Sequence, residues 1–445
     1  MIYLIKIILN LLTLTLLSKF NWYPDCLINS LLSSIKSSNA FIIKLSQWVC
    51  TRYDTLEDRN LSKFYELFDN NTYHSLEYSQ KILRQDFPNF ANEIEIKDTL
   101  ASGSIAQVYH GSFQGEEVAI KILHPDVLKD IQNTKFVLQL FLKVLYKLRI
   151  CENITSYIDF DEFWDMFWKQ TDLSKEAENC KKFREYFENS SVLTIPEVYT
   201  YSKNCIIMSY HHGKSLHEVE SSYERYKSIT CLIIFFVMCS KMFGMLHGDL
   251  HKGNWKIVTT QKGNFERLII YDFGICHSID VNNFGTFLNH YDNCKWDKVI
   301  QMCMRMWSTT SIDENIESSI TENYVKYMKS QVLPMKSNNI MSYLIKTLQN
   351  YNLSVRPDIL NALIAFTNIE KFVYDNTDTR DEQKKGDENL KCRASTLKSH
   401  ISFCKAYQCF PDYLEYCLEE YSDLEKPDFF GKFKNYSADL DKFYS

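Results

Sequence analysis

The chain has 445 residues and a formal net charge of −6 at pH 7, a length that accommodates one large domain with extensions. The slight acidic excess provides no basic surface, so the composition argues against a nucleic-acid partner. The 14 cysteines include no C-x-x-C pair, which argues against a zinc site or a disulfide-stapled secreted scaffold and favours a reducing, intracellular compartment.

The first 20 residues form an apolar leader, in which residues 2–17 are apolar apart from Lys6, Asn10 and two threonines, and Lys19 follows. Its apolar part is shorter than the roughly 20 residues that a membrane-spanning helix needs, and no small-x-small cleavage site follows it. Three interpretations stay open: a membrane anchor, a cleaved targeting segment, and a buried helix of an N-terminal extension. Residues 21–90 follow as a Ser- and Asn-rich linker and a segment with a helical pattern.

Two predicted strands lie on either side of a run of small residues. Residues 94–100 and 117–123 have strand patterns, and Lys121 lies in the middle of the second. The small residues after the first strand are Ala101, Ser102, Gly103 and Ser104. Such a turn lets backbone N–H groups approach phosphates, and V-A-I-K is the pattern of a kinase strand whose lysine contacts phosphates. Alone, Lys121 would read as a solvated edge-strand lysine; beside this turn, we predict that it binds phosphate.

A helix is predicted at residues 172–187, where apolar side chains recur near one face. A phosphate-binding lysine of this kind has an acidic partner on a helix, and the segment carries both Glu176 and Glu178. We favour Glu176 as the partner. Spacing alone does not choose between the two, because both also fit ordinary surface charges.

The most informative segment is H-G-D-L-H-K-G-N at residues 247–254, in which Asp249 and Asn254 lie five positions apart. The apolar segment before it, residues 231–240, predicts a buried helix. In kinase-type phosphoryl transfer, an Asp at this place orients the attacking hydroxyl and the Asn holds a metal ion.

A D-F-G sequence begins at Asp272, after two predicted strands that are joined by a turn at residues 261–264. That hairpin would bring Asp272 beside Asn254, and carboxylate and amide oxygens are ligands that Mg²⁺ prefers. We therefore predict a site for ATP and Mg²⁺, in preference to a turn rich in Asp, Asn and Gly that has no chemistry.

Four stretches together resemble the UbiB/ADCK-type atypical kinase family. They are residues 41–48, similar to a K-x-G-Q motif, 100–108, in place of a glycine-rich loop, 172–179, similar to a D-x-x-x-E-A-x-N helix, and the loop with D-F-G. The resemblance covers residues 40–280 well. It implies an α+β, bilobal, protein-kinase-like fold with an N-terminal helical extension and a mostly helical C-lobe. It also implies work at a membrane on lipid or isoprenoid-quinone-type molecules.

The resemblance assigns roles to the matched positions. The catalytic residues would be Asp249, Lys121 and Glu176, and the metal ligands Asn254 and Asp272. ATP would also contact the small-residue turn and Met208, at the end of a predicted hinge strand at residues 205–208. In this family the pairing of the lysine with the helix glutamate is part of the nucleotide site, so Lys121 would pair with Glu176.

A cover segment over the nucleotide cleft is also implied, in which Lys44 and Gln47 would face Asp172. Two departures from the family pattern affect it. Ser46 stands where K-x-G-Q has Gly, which would add strain if the position needs close packing or a positive φ. Gln170 replaces the first acid of an E-x-D motif, so one carboxylate that would face Lys44 is missing and the cover is expected to be looser.

The predicted organisation has five parts. They are an apolar leader or anchor (1–20), a helical extension with the K-x-x-Q segment (21–90), an N-lobe (91–210), a C-lobe (211–375), and a charged loop with a helical tail (376–445). No A-P-E sequence follows D-F-G, which makes an ordinary protein substrate doubtful. The alternatives are a protein kinase, a small-molecule kinase of the aminoglycoside type, and a nucleotide-binding scaffold without turnover.

Overall fold

The computed structural model of the chain describes residues 2–18, 24–51, 73–147, 164, 167–188, 190, 192–292, 294–306, 312–330 and single positions between 343 and 365. The predicted loop and tail at 376–445 lie outside the described residues. The chain divides into two compact units, Met1–Asn179 with Glu197–Tyr210, and Cys180–Pro196 with His211–Ser445. Residues 180–196, which the predicted N-lobe includes, group with the second unit. The predicted domain boundaries stay predictions.

The first unit contains a five-stranded antiparallel sheet. Its strands are β1 (Ile94–Ser102), β2 (Ala106–Phe113), β3 (Glu116–Leu123), β5 (Val198–Tyr201) and β6 (Cys205–Ser209), whereas β4 (Leu193–Thr194) belongs to the second unit. The order is β1-β2-β3-β6-β5, so β3 is the central strand. Gln114 and Gly115 have φ of 53° and 89°, the backbone that a tight two-residue hairpin turn requires between β2 and β3.

Along the sequence, helices precede and follow the strands of this sheet. Those of the first unit are α1 (Ile2–Ser18), α2 (Asp25–Lys36), α3 (Ala40–Thr51), α4 (Leu76–Asp86) and α5 (Val127–Lys147), and α6 (Leu173–Phe187) continues into the second unit. In α2 the buried apolar residues Ile28, Leu31, Leu32 and Ile35 follow the i, i+3, i+4, i+7 spacing of one helix face. That face packs with Phe41 of α3 in one apolar core.

The N-terminal leader is helix α1, which joins the same core through Ile7. Other apolar side chains of α1 are exposed, namely Tyr3, Ile5, Leu9 and Leu11. In the part of the chain that the structure describes, no helix has both the length and the apolar character needed to cross a membrane.

The second unit is mostly helical and carries two small sheets. Its further elements are α7 (Ser222–Met238), β7 (Met245–His247), β8 (Trp255–Thr259), β9 (Phe265–Ile270), β10 (Cys276–Ser278), α8 (Val281–Asp292), α9 (Trp296–Arg305) and α10 (Glu314–Ser330). The predicted hairpin is present as β8 and β9, and β4 pairs with β9 in parallel. The presence of both β-sheets and α-helices confirms the predicted α+β class.

Candidate functional site

A buried ion pair lies in the first unit. Nζ of Lys121 is 2.6 Å from Oε1 and 2.8 Å from Oε2 of Glu176, and the two residues are 8% and 5% exposed. Because β3 is central, Lys121 is not a solvated edge-strand lysine. Side chains alternate across a strand, so Lys121 leaves the opposite face of β3 from Ile120 and Ile122, which are fully buried in the apolar core.

Burial on α6 separates the two acids that sequence spacing could not. Glu176 belongs to a buried stripe with Leu173, Ala177 and Cys180, spaced i, i+3, i+4 and i+7 along the helix. Glu178 lies outside this stripe, is exposed, and accepts a hydrogen bond from Nζ of its neighbour Lys175 at 3.1 Å. The stripe is thus the signal that could have selected Glu176 from the sequence.

The small-residue turn joins β1 to β2. Ala101 and Ser102 end β1, and the N–H of Gly103 donates to the carbonyl of Ala106 at 2.9 Å, which closes the turn. Within the described residues the backbone N–H of Ser104 donates no hydrogen bond, so it is available to an anion.

Met208 lies in β6, in register with Ala119 of β3 and Val198 of β5. Its neighbour Ser209 donates its backbone N–H to the carbonyl of Glu197 at 2.8 Å, so the strand end is held in the sheet. The contact of Met208 with adenine stays a prediction.

The proposed cover segment lies on α3, which carries Lys44, Ser46 and Gln47. Ser46 is helical and its Oγ donates to the carbonyl of Ile42 at 2.8 Å, so this position has no positive φ that would strain a serine. The side chain of Gln47 lies outside the described residues.

The other half of the cover motif precedes α6. Asp172 caps that helix, because its Oδ1 accepts from the N–H of Ser174 at 3.1 Å and from the Ser174 hydroxyl. Gln170 is 5% exposed, and its Nε2 has no hydrogen-bond acceptor among the described residues. The pairing of Lys44 with Asp172 stays a prediction.

The loop at residues 247–254 in the second unit is braced by a buried histidine. Nε2 of His247 lies 2.9 Å from the carbonyl of Tyr271, which can only accept, so Nε2 carries the hydrogen. Nδ1 is then an acceptor, and the N–H of Asp249 donates to it at 3.2 Å. Burial lowers the pKa of His247, which keeps the ring neutral. The N–H of Tyr271 donates to the carbonyl of Asn254 at 2.8 Å, so the loop is tied to the residue before D-F-G.

Hydrogen bonds also decide which side-chain atoms of this loop remain available. Nδ2 of Asn254 donates to the backbone carbonyl of Asp249 at 2.8 Å. The amide is thereby oriented with Oδ1 left over, and within the described residues Oδ1 accepts no hydrogen bond. The Asp249 carboxylate is partly exposed, with His251 Nε2 3.9 Å from its Oδ2, so it can meet an acceptor molecule.

Asp272 has a φ of 57°, in the left-handed region that residues other than glycine seldom occupy. Its Oδ1 lies 3.4 Å from the N–H of Gly274, which donates to it, and its side chain is exposed. Such backbone outliers concentrate at functional sites. The carboxylate of Asp272 and Oδ1 of Asn254 are hard oxygen ligands of the type that Mg²⁺ takes, together with waters and phosphate oxygens. Among the described residues no group of three His, Cys, Asp or Glu forms a metal site.

Sequence reasoning missed the residues that support this loop. Gly248 donates its N–H to the carbonyl of Ile275 at 2.8 Å, and a Cβ there would lie 2.5 Å from Nε2 of His277. Only glycine fits this approach of β7 to β10 without displacing the imidazole. The H-G pair before Asp249 is the local signal, although the partners, Tyr271 and His277, follow more than 20 residues later.

A central-strand lysine paired with a helix glutamate, and a D-x-x-x-x-N loop tied to D-F-G, are features of the protein-kinase-like class. The family description "ABC1 atypical kinase-like domain" matches residues 68–294, which is about half of the chain. The chain therefore belongs to the ABC1 atypical kinase-like family, which confirms the UbiB/ADCK-type resemblance and the kinase-like fold.

Two curated relatives and one solved structure illustrate the similarity. The chain is 26% identical over 251 residues to the probable serine/threonine-protein kinase abkC of Dictyostelium discoideum, covering 54% of this chain and 36% of that protein. It is 23% identical over 350 residues to the probable protein kinase UbiB of Marinobacter nauticus, covering 74% of this chain and 63% of that protein. The Rv3197–erythromycin complex of Mycobacterium tuberculosis aligns with a TM-score of 0.45 and 17% identity, over 66% of this chain and 78% of that chain. The chain thus spans less than two thirds of the length of these curated relatives.

Proposed function

We propose that the protein is a Mg²⁺-dependent, ATP-binding kinase or ATPase of the ABC1 family. The buried ion pair between Lys121 and Glu176 is the observation that carries this proposal. Burying two charges has a desolvation cost that can exceed their attraction, so such a pair is weak evidence for a stabilising role. A task in ligand binding explains it better, and the small-residue turn that leads into the neighbouring strand β2 points to nucleotide phosphates.

In the first unit, Lys121 would contact the α- and β-phosphates as a point charge, and Glu176 would hold its ammonium group in place. The N–H of Ser104 would donate to a phosphate oxygen. The remaining proposed nucleotide contacts are Ala101, Ser102, Gly103 and Met208. The first unit would therefore supply binding and orientation of the nucleotide.

In the second unit, Asp249 would orient the acceptor and receive its proton. Asn254 through Oδ1 and Asp272 through its carboxylate would hold Mg²⁺, which when bound neutralises charge on the phosphates. His247 would keep the loop rigid through its two hydrogen bonds. The chemistry is mostly positioning and charge neutralisation.

The acceptor class is the finer part of the proposal. Exposed Ile5 and Leu9 on α1 support association with a membrane surface, and a lipid or isoprenoid-quinone-type molecule there would be the partner. Lys44, Gln47 and Asp172 would form a cover that excludes peptide substrates.

The test is phosphate release from Mg-ATP by the full-length chain, with and without lipid vesicles, beside the Asp272→Asn variant. We expect release that lipid stimulates and that disappears in the variant. No release, with ATP still raising the Tm of the wild type by linkage, would replace the enzyme with a nucleotide-binding scaffold. If the wild type shows no phosphate release and ATP does not change its Tm, ATP binding is refuted altogether.

A further inference from the structure

A hydrogen-bonded network of polar side chains leads from the small-residue turn into the interior of the first unit. Nε2 of His124 lies 3.1 Å from the carbonyl oxygen of Gly103, and its Nδ1 lies 2.7 Å from Nδ1 of His74. Nε2 of His74 lies 2.8 Å from Oγ of Ser79, which lies 2.7 Å from the hydroxyl of Tyr109. This network connects the turn with the end of β3, the start of α4 and the middle of β2.

The donor and the acceptor of each hydrogen bond in this network follow from the carbonyl of Gly103. Because the Gly103 oxygen can only accept, Nε2 of His124 carries the hydrogen, and the Ser102 hydroxyl oxygen, 3.3 Å from the same nitrogen, is then a second acceptor. Nδ1 of a neutral His124 is an acceptor. Nδ1 of His74 must then donate to His124, which leaves Nε2 of His74 to accept from the Ser79 hydroxyl. Ser79 in turn accepts from the hydroxyl of Tyr109. All these groups are satisfied together when both imidazoles are neutral.

The surroundings keep both rings in that neutral state. Burial, followed by the neighbouring His124, lowers the pKa of His74 to about 4. Burial also lowers the pKa of His124, against the effect of its hydrogen bond to Gly103. The backbone N–H of His74 donates to Oε1 of Gln107 at 2.9 Å. The ring of Tyr78 lies edge-on to the His74 ring at 5.0 Å, so His74 is held on several sides.

His124 fixes the turn through its backbone as well as its ring. Its N–H donates to the carbonyl of Ile105 at 2.8 Å, while the ring donates to the carbonyl of Gly103. In a trans peptide unit the C=O group and the following N–H point in opposite directions. With the Gly103 carbonyl aimed at His124, the N–H of Ser104 points away from His124.

We propose that His124, oriented by His74, is a positioning residue that holds the Gly103 carbonyl and so presents the Ser104 N–H to a nucleotide phosphate. This inference rests on the proposed function and deepens it. The histidines touch neither the acceptor nor the metal ligands in that function, so their effect falls on nucleotide binding and not on turnover.

Three replacements of His124 in the full-length chain test the idea. His124→Gln keeps an N–H donor at about the reach of Nε2, whereas His124→Asn has the reach of Nδ1 and leaves Gly103 without a donor. His124→Phe keeps the ring and removes both nitrogens. His217→Gln, at an exposed position in the second unit, is the matched control.

Order in the turn is measured first, by hydrogen–deuterium exchange of residues 102–106 without nucleotide. We expect faster exchange in the Asn and Phe variants, and wild-type exchange in His124→Gln and in the control. The Kd for Mg-ATP, from calorimetric titration, should rise about tenfold in the Asn and Phe variants, as loss of about one hydrogen bond predicts. KM for phosphate release should rise in parallel, with kcat nearly unchanged.

The outcomes separate this inference from the proposed function. Wild-type exchange in His124→Asn and His124→Phe would overturn the inference alone, as would a loosened turn with an unchanged Kd. A lower kcat with an unchanged KM would also overturn it, because His124 would then act on the chemical step. A wild-type chain that binds no Mg-ATP would overturn the proposed function, and the inference with it. If His124→Phe does not fold, the comparison of Gln with Asn decides.

Discussion

Lys121 and Glu176 cannot be tested by deleting one partner alone. Removing the lysine leaves a buried carboxylate uncompensated, and we expect Lys121→Met to lower the free energy of unfolding by about 3 kcal/mol for that reason. The double variant Lys121→Met/Glu176→Gln removes both charges and should recover much of this loss. Both variants should lose ATP binding. Urea denaturation and calorimetric titration measure the two effects separately.

The double variant makes this test decisive. If it recovers stability and still binds ATP like the wild type, the pair is structural and Lys121 is no phosphate ligand. Lys121→Arg is the matched control, because it keeps the charge but changes the shape of the head group. It should retain more stability than Lys121→Met while still weakening ATP binding.

Asp272 combines a ligand role with an unusual backbone, and two substitutions separate them. Asn accepts a positive φ more readily than most residues, so Asp272→Asn should fold normally and lose Mg²⁺-dependent nucleotide binding. Asp272→Ala should lose the same binding and also about 1 kcal/mol of stability from the strained backbone. The measurements are Kd for ATP with and without Mg²⁺, and thermal unfolding of both variants. Mg²⁺-dependent binding that survives in Asp272→Asn would remove the metal assignment.

Residues that short motifs bring together could be grouped from the sequence, whereas residues defined by distant partners could not. Asp249, Asn254 and Asp272 stand in short motifs, so their grouping followed from spacing. His74 and His124 are isolated histidines 50 positions apart, and only folding brings their rings together. The local sequence around each of them gives no sign of the other.

The hydrogen bonds of the His74 ring to Ser79 of α4 and to His124 require a neutral imidazole, so they are sensitive to acid. The pKa of His74 is about 4 in the fold against 6.5 when unperturbed, so between these values the unfolded chain binds more protons than the native one. Stability should therefore fall as the pH drops from about 6.5 toward 4. His74→Gln should flatten this part of the curve relative to the wild type. Thermal unfolding from pH 7.5 to 5 measures the difference.

Comparison of the two proteins isolates His74, because other histidines shift in the same direction. Burial also lowers the pKa of His124, His211, His247 and His290, so the wild-type curve contains all of these contributions. Only the difference between wild type and variant belongs to His74 and its coupling to His124. Parallel curves for the two proteins would contradict the assigned role.

Elements with strong periodicity could be predicted from the sequence. The structural effect of a departure from the family motif could not. The strands β1 and β3, the hairpin of β8 and β9, and helix α6 occur where the patterns placed them. At Ser46 the positive φ that would strain a serine is absent, because the residue lies inside a regular helix. Its hydroxyl bonds to Ile42 four residues earlier, which a serine in a helix does readily.

Division of the whole chain into units depends on contacts that sequence patterns do not contain. The predicted N-lobe includes residues 180–196, and in the structure Leu193 of β4 pairs with Leu268 of β9. In the same segment, Phe183 stacks on Phe235 of α7, and the ring of Phe187 packs against it at a tilt. Pairing in a sheet and aromatic packing therefore override order along the chain.

The proposed association of the protein with a membrane surface is a property of the whole molecule, and α1 should control it. Ile5 and Leu9 are 51% and 57% exposed, whereas Ile7 between them is buried against α2. Transfer of apolar side chains into a lipid surface contributes roughly 25 cal/mol per Å². We therefore expect Ile5→Ser/Leu9→Ser to weaken vesicle binding by about tenfold or more.

The measurement is co-sedimentation with lipid vesicles, together with thermal unfolding of each protein. Because Ile5 and Leu9 lie outside the core, the variant should keep the Tm of the wild type while its bound fraction falls. Ile316→Ser, on α10 of the second unit, removes an isoleucine that is 45% exposed and should leave vesicle binding unchanged. Equal losses in the two variants would mean that exposed apolar surface acts without regard to place. Full binding by the α1 variant would move the attachment to another part of the chain, and lipid-stimulated phosphate release would then survive the change in α1.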